Sequence, residues 1–281
     1  MQIIFLNNQF LPLKEARVSP LDRGYLFADG VYEVSAVING KLVDNKGHLE
    51  RLKKSLVSLD IPLPKPIEEI EKIQLELIQK NNIQEGLIYL QITRGEAPER
   101  DFNYPDSPAL KPVLLMFTQE KSIINNPKLR AGVKVITTPD LRWERRDIKS
   151  IALLAQVMAK NIARKQGAFE AVMYDKEGFV TEGSSSNIFI IKNKKIITKN
   201  LSNQILHGIT RKAILEIATQ EKIEIEERAF SIEELYQADE AFMTSATAFV
   251  TGIIEVDGKP LGNSQTGEIT QKLFQKYISI I

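Results

Sequence analysis

The run Arg145-Arg146-Asp147-Ile148-Lys149-Ser150 stands just before a strongly helical stretch, Ile151 to Lys165. About thirty residues later comes a second polar cluster, Val180-Thr181-Glu182-Gly183-Ser184-Ser185-Ser186-Asn187. An amine at a structural junction, with an acid-and-hydroxyl cluster downstream, is what pyridoxal phosphate chemistry requires. The lysine forms a Schiff base with the cofactor aldehyde, and a carboxylate keeps the pyridine nitrogen protonated. Position alone decides little, because the chain holds 37 lysine and arginine residues and most of these are solvated surface charge.

Composition narrows the field. A chain of 281 residues, 43% of them hydrophobic, can build one large or two medium domains. The 37 basic residues nearly balance 36 acidic ones, so nothing marks a binder of nucleic acid or of anionic membranes. Cysteine is absent, which removes disulfides, zinc-thiolate sites and cysteine nucleophiles. With only His48 and His207, a multi-histidine metal site is not expected, and a Ser-His-Asp triad would have to use one of the two. Met1-Gln2-Ile3-Ile4-Phe5-Leu6-Asn7-Asn8 has no basic flank and too short an apolar run for a signal peptide, and no stretch approaches the ~20 apolar residues of a membrane span. The expectation is a soluble cytoplasmic protein whose reactivity, if it is an enzyme, comes from a lysine or a cofactor.

Along the chain, Gln2–Leu6 and Val31–Ile38 read as strands. Leu49, Leu52, Leu56 and Leu59 recur at three- and four-residue steps and predict a helix over Asn45–Leu59, with a second over Ile67–Gln79. Gly86–Thr93 and Pro112–Thr118 are strand candidates, and polar Glu120–Leu129 reads as a linker. The pattern then restarts. Gly132–Thr137 is a strand, Ser150–Gln166 a helix closed by Gly167, and Ala171–Tyr174, Asn187–Lys192 and Lys195–Thr198 are short strands. Thr210–Gln220 is a helix, Ala241–Thr244 and Val250–Val256 are strands, and a helix from about Thr266 to Tyr277 ends the chain.

Seven fragments carry a resemblance. They are Asp22-Arg23-Gly24-Tyr25-Leu26-Phe27-Ala28-Asp29-Gly30-Val31-Tyr32-Glu33-Val34, His48-Leu49-Glu50-Arg51-Leu52, Tyr89-Leu90-Gln91-Ile92-Thr93-Arg94-Gly95, Asp147-Ile148-Lys149-Ser150, Thr181–Asn187, His207-Gly208-Ile209-Thr210-Arg211 and Thr244-Ser245-Ala246-Thr247. In this order and spacing they resemble the fold-type IV pyridoxal phosphate enzymes, which include D-amino acid aminotransferases, branched-chain aminotransferases and aminodeoxychorismate lyases. The similarity to the D-amino acid branch extends over essentially the whole chain. It implies an α+β fold of two domains: a small N-terminal α/β domain over residues 1–120, a linker over 121–130, and a larger cofactor-binding domain over 131–281 with a mainly β core and flanking helices. It also implies a homodimer.

By this resemblance Lys149 is the Schiff-base lysine and the proton shuttle, which needs an amine that is neutral when it acts as base. Glu182 matches the acid that pairs with the pyridinium nitrogen, and Arg51 the arginine that binds the cofactor phosphate. Gly208-Ile209-Thr210, opening a helix, offers amides and a hydroxyl at the positive end of the helix dipole, so Ile209 and Thr210 are further phosphate candidates. Ser245 and Ala246 match a second phosphate-contacting loop; Ala246 stands where D-specific relatives usually carry threonine, so its contact would come from the backbone. Leu206 matches an apolar residue packed against the cofactor ring.

For the substrate carboxylate, Tyr32 fits the family's tyrosine. The partner subunit's Arg-x-His pair should fall within Arg94–Pro105, where Arg100 aligns with the arginine only after a one-residue insertion and Phe102 takes the place of the histidine. The implied reaction is D-amino acid transamination, typified by D-alanine plus 2-oxoglutarate giving pyruvate plus D-glutamate. A branched-chain L-aminotransferase, an aminodeoxychorismate lyase and a cofactor-binding protein without turnover are the alternatives.

Overall fold

The computed structural model describes residues 1–105 and 111–281, which divide into two compact units. The first is Met1–Ser122 together with Ile148–Ala152, and the second is Ile123–Asp147 with Leu153–Ile281. The short segment around Lys149 therefore belongs to the first unit, although the chain on either side of it belongs to the second.

In the first unit, β1 (Ile3–Leu6) and β2 (Gln9–Pro12) form a hairpin, followed by a short α1 (Arg23–Phe27), the long β3 (Gly30–Ile38) and β4 (Lys41–Leu42). Two helices, α2 (Asn45–Ser58) and α3 (Ile67–Lys80), precede β5 (Glu85–Thr93) and β6 (Val113–Glu120). Among the described residues these strands make one antiparallel sheet in the order β2-β1-β6-β5-β3-β4. Alternation along β5 sorts its two faces. Ile88, Leu90 and Ile92 are fully buried and join Leu49, Leu52 and Leu56 of α2 in one core. Burying each such side chain contributes roughly 1.5–3 kcal/mol. The opposite face carries a ladder of rings from neighbouring strands: Tyr32 stacks on Tyr89 at 5.7 Å between centroids, and Tyr89 on Phe117 at 4.8 Å.

The second unit opens with α4 (Pro127–Arg130), a short helix inside the stretch that reads as linker, and β7 (Val133–Pro139). Then follow α5 (Leu154–Lys165), β8 (Glu170–Tyr174), β9 (Val180–Gly183), β10 (Asn187–Lys192), β11 (Lys195–Thr198), α6 (Ile209–Gln220) and β12 (Ile225–Glu227). The chain ends with α7 (Ile232–Tyr236), β13 (Glu240–Ser245), β14 (Phe249–Val256), β15 (Lys259–Pro260) and α8 (Glu268–Ile278). Among the described residues the sheet runs β12-β11-β10-β13-β14-β7-β8-β9, with β15 beside β14. The mixed two-sheet α+β architecture agrees with the sequence expectation. No described helix is long and apolar enough to cross a membrane.

The predicted helix over Ser150–Gln166 starts late, at Leu154. Ser150 bridges Val31, and the Ile151 amide donates to Gly30 O at 3.1 Å, so these residues are held against β3 in place of helical pairing. Strand β9 was not anticipated either, because its Val-Thr-Glu-Gly sequence reads as the start of a polar loop.

Candidate active site

In the first unit the backbone around Lys149 is fixed from two sides. Its carbonyl accepts from the Tyr32 amide at 3.0 Å, and its own amide donates to Ser55 Oγ on α2 at 3.2 Å. The Lys149 ammonium lies 4.1 Å from the centroid of the Tyr32 ring, the end of the aromatic ladder, and no carboxylate pairs with it among the described residues. An amine held by a ring face and not by an acid is available for covalent chemistry.

Tyr32 and Glu33 are consecutive on β3 and project to opposite faces. Glu33 turns inward, where it accepts from Arg51 Nε and Nη2, both at 2.8 Å, and approaches His48 Nδ1 at 2.7 Å. Burial alone would raise the Glu33 pKa, but the charge and hydrogen bonds of Arg51 and His48 outweigh it and hold the group at about 2. Arg51 is itself buried, one helical turn before Ser55 on the same face of α2. Lys149 and Tyr32 thus meet on one side of β3, and Arg51 is oriented by Glu33 on the other.

Arg100 sits elsewhere in this unit. It is exposed on the loop after β5, its guanidinium 5.0 Å from the Phe27 ring and 5.2 Å from the Phe102 ring. Phe102 packs on Phe27 at 5.3 Å and is otherwise open to solvent. Arg23 ties this loop down by donating to the carbonyls of Asp101 (2.6 Å) and Asn103 (3.1 Å), while pairing with Asp29.

The second unit gathers the remaining candidates at one end of its sheet, and Asn187 is the hub. It opens β10 opposite Thr244 of β13, and its side-chain amide donates to Glu182 at 2.9 Å and to Leu206 O at 3.0 Å. The Leu206 amide is shared between the two Glu182 oxygens at 3.1 Å. Arg142 Nη1 completes the set with a short hydrogen bond to Glu182. Burial raises the Glu182 pKa, and the Arg142 charge only partly offsets that. Gly208 fits because it lacks a Cβ, which would lie 2.0 Å from Asn187 Oδ1.

A phosphate ester of a pyridine aldehyde fits these residues. Three donors engage Glu182 in four hydrogen bonds, two on each oxygen, and the one shared amide, that of Leu206, is the contact that a pyridinium N–H would replace in part. Helix α6 starts at Ile209 without a side-chain cap, which leaves amides for an anion, and the Thr210 side chain is buried beside them. Among the described residues the Thr244 hydroxyl, next to Ser245 and Ala246, is buried without a hydrogen-bond partner. Sequence reasoning missed Arg142, Asp140, Ser55 and the pairing role of Glu33. Only Glu33 carried a usable signal, as the one charged residue inside strand β3.

The fold and the arrangement of these groups define a class. The amino-transferase class IV family matches residues 30–256, and the chain belongs to it. Among solved structures, the branched-chain amino acid aminotransferase of Escherichia coli superimposes with a TM-score of 0.91 at 23% identity, covering 99% of this chain and 94% of that one. The branched-chain aminotransferase of the thermophilic archaeon Thermoproteus uzoniensis, solved with norvaline, gives 0.88 at 30% identity, covering 99% and 94%. Among relatives, the chain is 41% identical to a D-alanine aminotransferase of Staphylococcus haemolyticus over 283 aligned residues, 99% of this chain and 98% of that protein.

Proposed function

We propose that the chain transaminates D-amino acids with 2-oxo acids, with D-alanine and 2-oxoglutarate as the typical pair, using pyridoxal 5'-phosphate. The observation that supports the cofactor is the buried Glu182 carboxylate, oriented by Arg142, Asn187 and the shared Leu206 amide. The choice of D-amino acids rests on the 41% identity to D-alanine aminotransferase over the full chain. When bound, the cofactor supplies an electron sink that stabilises negative charge at the substrate α-carbon.

Each residue then has a task. Lys149 would hold the cofactor and serve as the base for the α-proton, with its Nζ resting on the face of the Tyr32 ring. Glu182 keeps the ring nitrogen protonated. Arg51, Ile209, Thr210, Ser245 and the Ala246 backbone hold the phosphate, and Leu206 supports the ring. Pre-positioned donors of this kind lower the barrier without reorganisation during reaction.

Arg100, from the partner subunit of a cytoplasmic homodimer, binds the substrate carboxylate together with Tyr32. With Phe102 where a histidine donor would stand, that site lacks one charge-assisted hydrogen bond, a loss of about 1.5–3 kcal/mol. The reaction is unchanged and substrate affinity is weakened.

A half-reaction screen tests this reading. The cofactor-loaded enzyme is mixed with D-alanine or L-alanine, and the visible absorbance of the bound cofactor is followed. D-Alanine bleaches the band and L-alanine leaves it; a preference for L-alanine overturns the D-specific reading. Lys149→Ala gives no bleaching with either, and retained wild-type turnover in that variant removes Lys149 from its role.

A further inference from the structure

Among the described residues, Arg142 is the side chain that hydrogen-bonds both carboxylates of a buried cluster behind Glu182. Its Nε and Nη2 donate to the two oxygens of Asp140 at 2.9 and 2.7 Å, and Nη1 is left to point at Glu182. The guanidinium is 6% exposed, Asp140 not at all, and Glu182 5%. Asp140 is anchored in turn: it accepts from the Thr181 hydroxyl at 2.7 Å and from the Arg142 amide at 3.1 Å, and Arg146 Nε forms an ion pair with it at 3.5 Å without a hydrogen bond. The planar fork of Arg142 is thus locked from one side, and its third nitrogen has a fixed direction.

This arrangement matters because of what Glu182 must do. A carboxylate out of water is driven towards its neutral form, and a second carboxylate nearby drives it further. Neutral Glu182 would give the ring nitrogen no counter-charge. We infer that Arg142 is a positioning residue for the transamination: it keeps Glu182 anionic and turned towards the cofactor's ring nitrogen, with Asp140 as its anchor. The inference rests on the assignment of Glu182 to the pyridine nitrogen given above. Burial raises the Glu182 pKa even with Arg142 in place, which is the direction that makes the arginine necessary.

The test measures binding rather than turnover. Dissociation constants are determined by equilibrium dialysis for pyridoxal 5'-phosphate and for its carbocyclic analogue, in which the ring nitrogen is replaced by C–H. The ratio of the two reports the contact at that nitrogen alone. Wild type prefers the nitrogen-containing cofactor. Glu182→Gln loses that preference, Arg142→Met loses about tenfold of it, the effect of a one-unit change in pKa, and Arg142→Lys restores a part.

A purely structural role for Arg142 would weaken both ligands equally and leave the ratio at the wild-type value. That result in Arg142→Met, with the ratio lost in Glu182→Gln, overturns the inference and leaves the Glu182 assignment standing. A ratio unchanged in Glu182→Gln overturns the Glu182 assignment and the inference with it. If Arg142→Met does not fold, Arg142→Gln removes the same charge and carries the same expectation and the same refutation.

Discussion

Glu33 holds a negative charge on the buried face of β3, beside Val31, Ser35 and Val37, and it stays charged only because Arg51 and His48 meet it there. The sign of its pH effect follows from its pKa, which lies at about 2 when folded against an ordinary 4.5. A lowered pKa contributes stability that is fully present above 4.5 and is lost as pH falls towards 2. The contribution is on the order of 3 kcal/mol. Glu33→Gln leaves the buried Arg51 without its carboxylate and lowers stability at pH 7 by roughly 3–5 kcal/mol. Urea unfolding of both proteins checks the mechanism as well as the size. The gap between wild type and variant is widest above pH 5 and about 2 kcal/mol smaller at pH 3; a gap constant over that range contradicts the charge assignment. Glu33 was legible as an anomaly in the sequence, whereas Arg142 was not. Nothing in Asp140-Leu141-Arg142 distinguishes a buried clamp from exposed loop charge until the fold brings Glu182 alongside.

At the scale of elements, helices and strands with a clean apolar period were readable: α2 by its leucines, β5 by its alternating isoleucines and leucine. The elements that carry the chemistry were less so, for a common reason. Ser150-Ile151-Ala152-Leu153 continues a helical pattern, and only pairing with Gly30 and Val31 overrides it. Val180–Gly183 is short and half polar, yet fully buried, because Thr181 donates to Asp140, three donors meet Glu182, and the Val180 and Gly183 amides donate to Phe230 O and Ser186 O. The turn into α6 is similar, since its glycine is required by a contact and not by a backbone angle. In Gly208→Ala the new methyl would stand 2.0 Å from Asn187 Oδ1. Relief of that overlap moves the Asn187 amide off Glu182 or moves the start of α6, at about 1–3 kcal/mol. The variant therefore binds pyridoxal 5'-phosphate roughly 5- to 150-fold more weakly by fluorescence titration. Wild-type affinity in a folded Gly208→Ala would show that Asn187 does not hold the site together.

For the whole molecule, the proposed homodimer needs a docking surface, and α5 offers one. Its outward face shows Leu154 at 73% exposure, Val157 and Met158 at 51% and Ile162 at 42%. Positions i, i+3, i+4 and i+8 make one stripe along the helix. A helix with a stripe of large apolar side chains in water is an interface awaiting a partner. Four side chains fall short of the roughly 800 Å² that a stable interface takes from each protein, so the contact extends past α5. Leu141 and Trp143 in the same unit, and Phe102 and Tyr104 in the other, are further exposed apolar side chains that a partner would cover. A double change, Val157→Glu with Met158→Glu, places two charges in the middle of the stripe and converts a dimer to monomer in sedimentation equilibrium. Its consequences separate two roles. Lys149 belongs to the same chain as Glu182, so the monomer still takes up the cofactor and shows its visible absorbance. In the proposed dimer Arg100 serves the other subunit, so the monomer would lose carboxylate recognition, and the KM for D-alanine would rise by roughly tenfold or more, the equivalent of losing one charge-assisted hydrogen bond. A wild-type protein that sediments as a monomer at micromolar concentration, or a monomeric variant with unchanged KM, would mean that each chain binds its substrate alone.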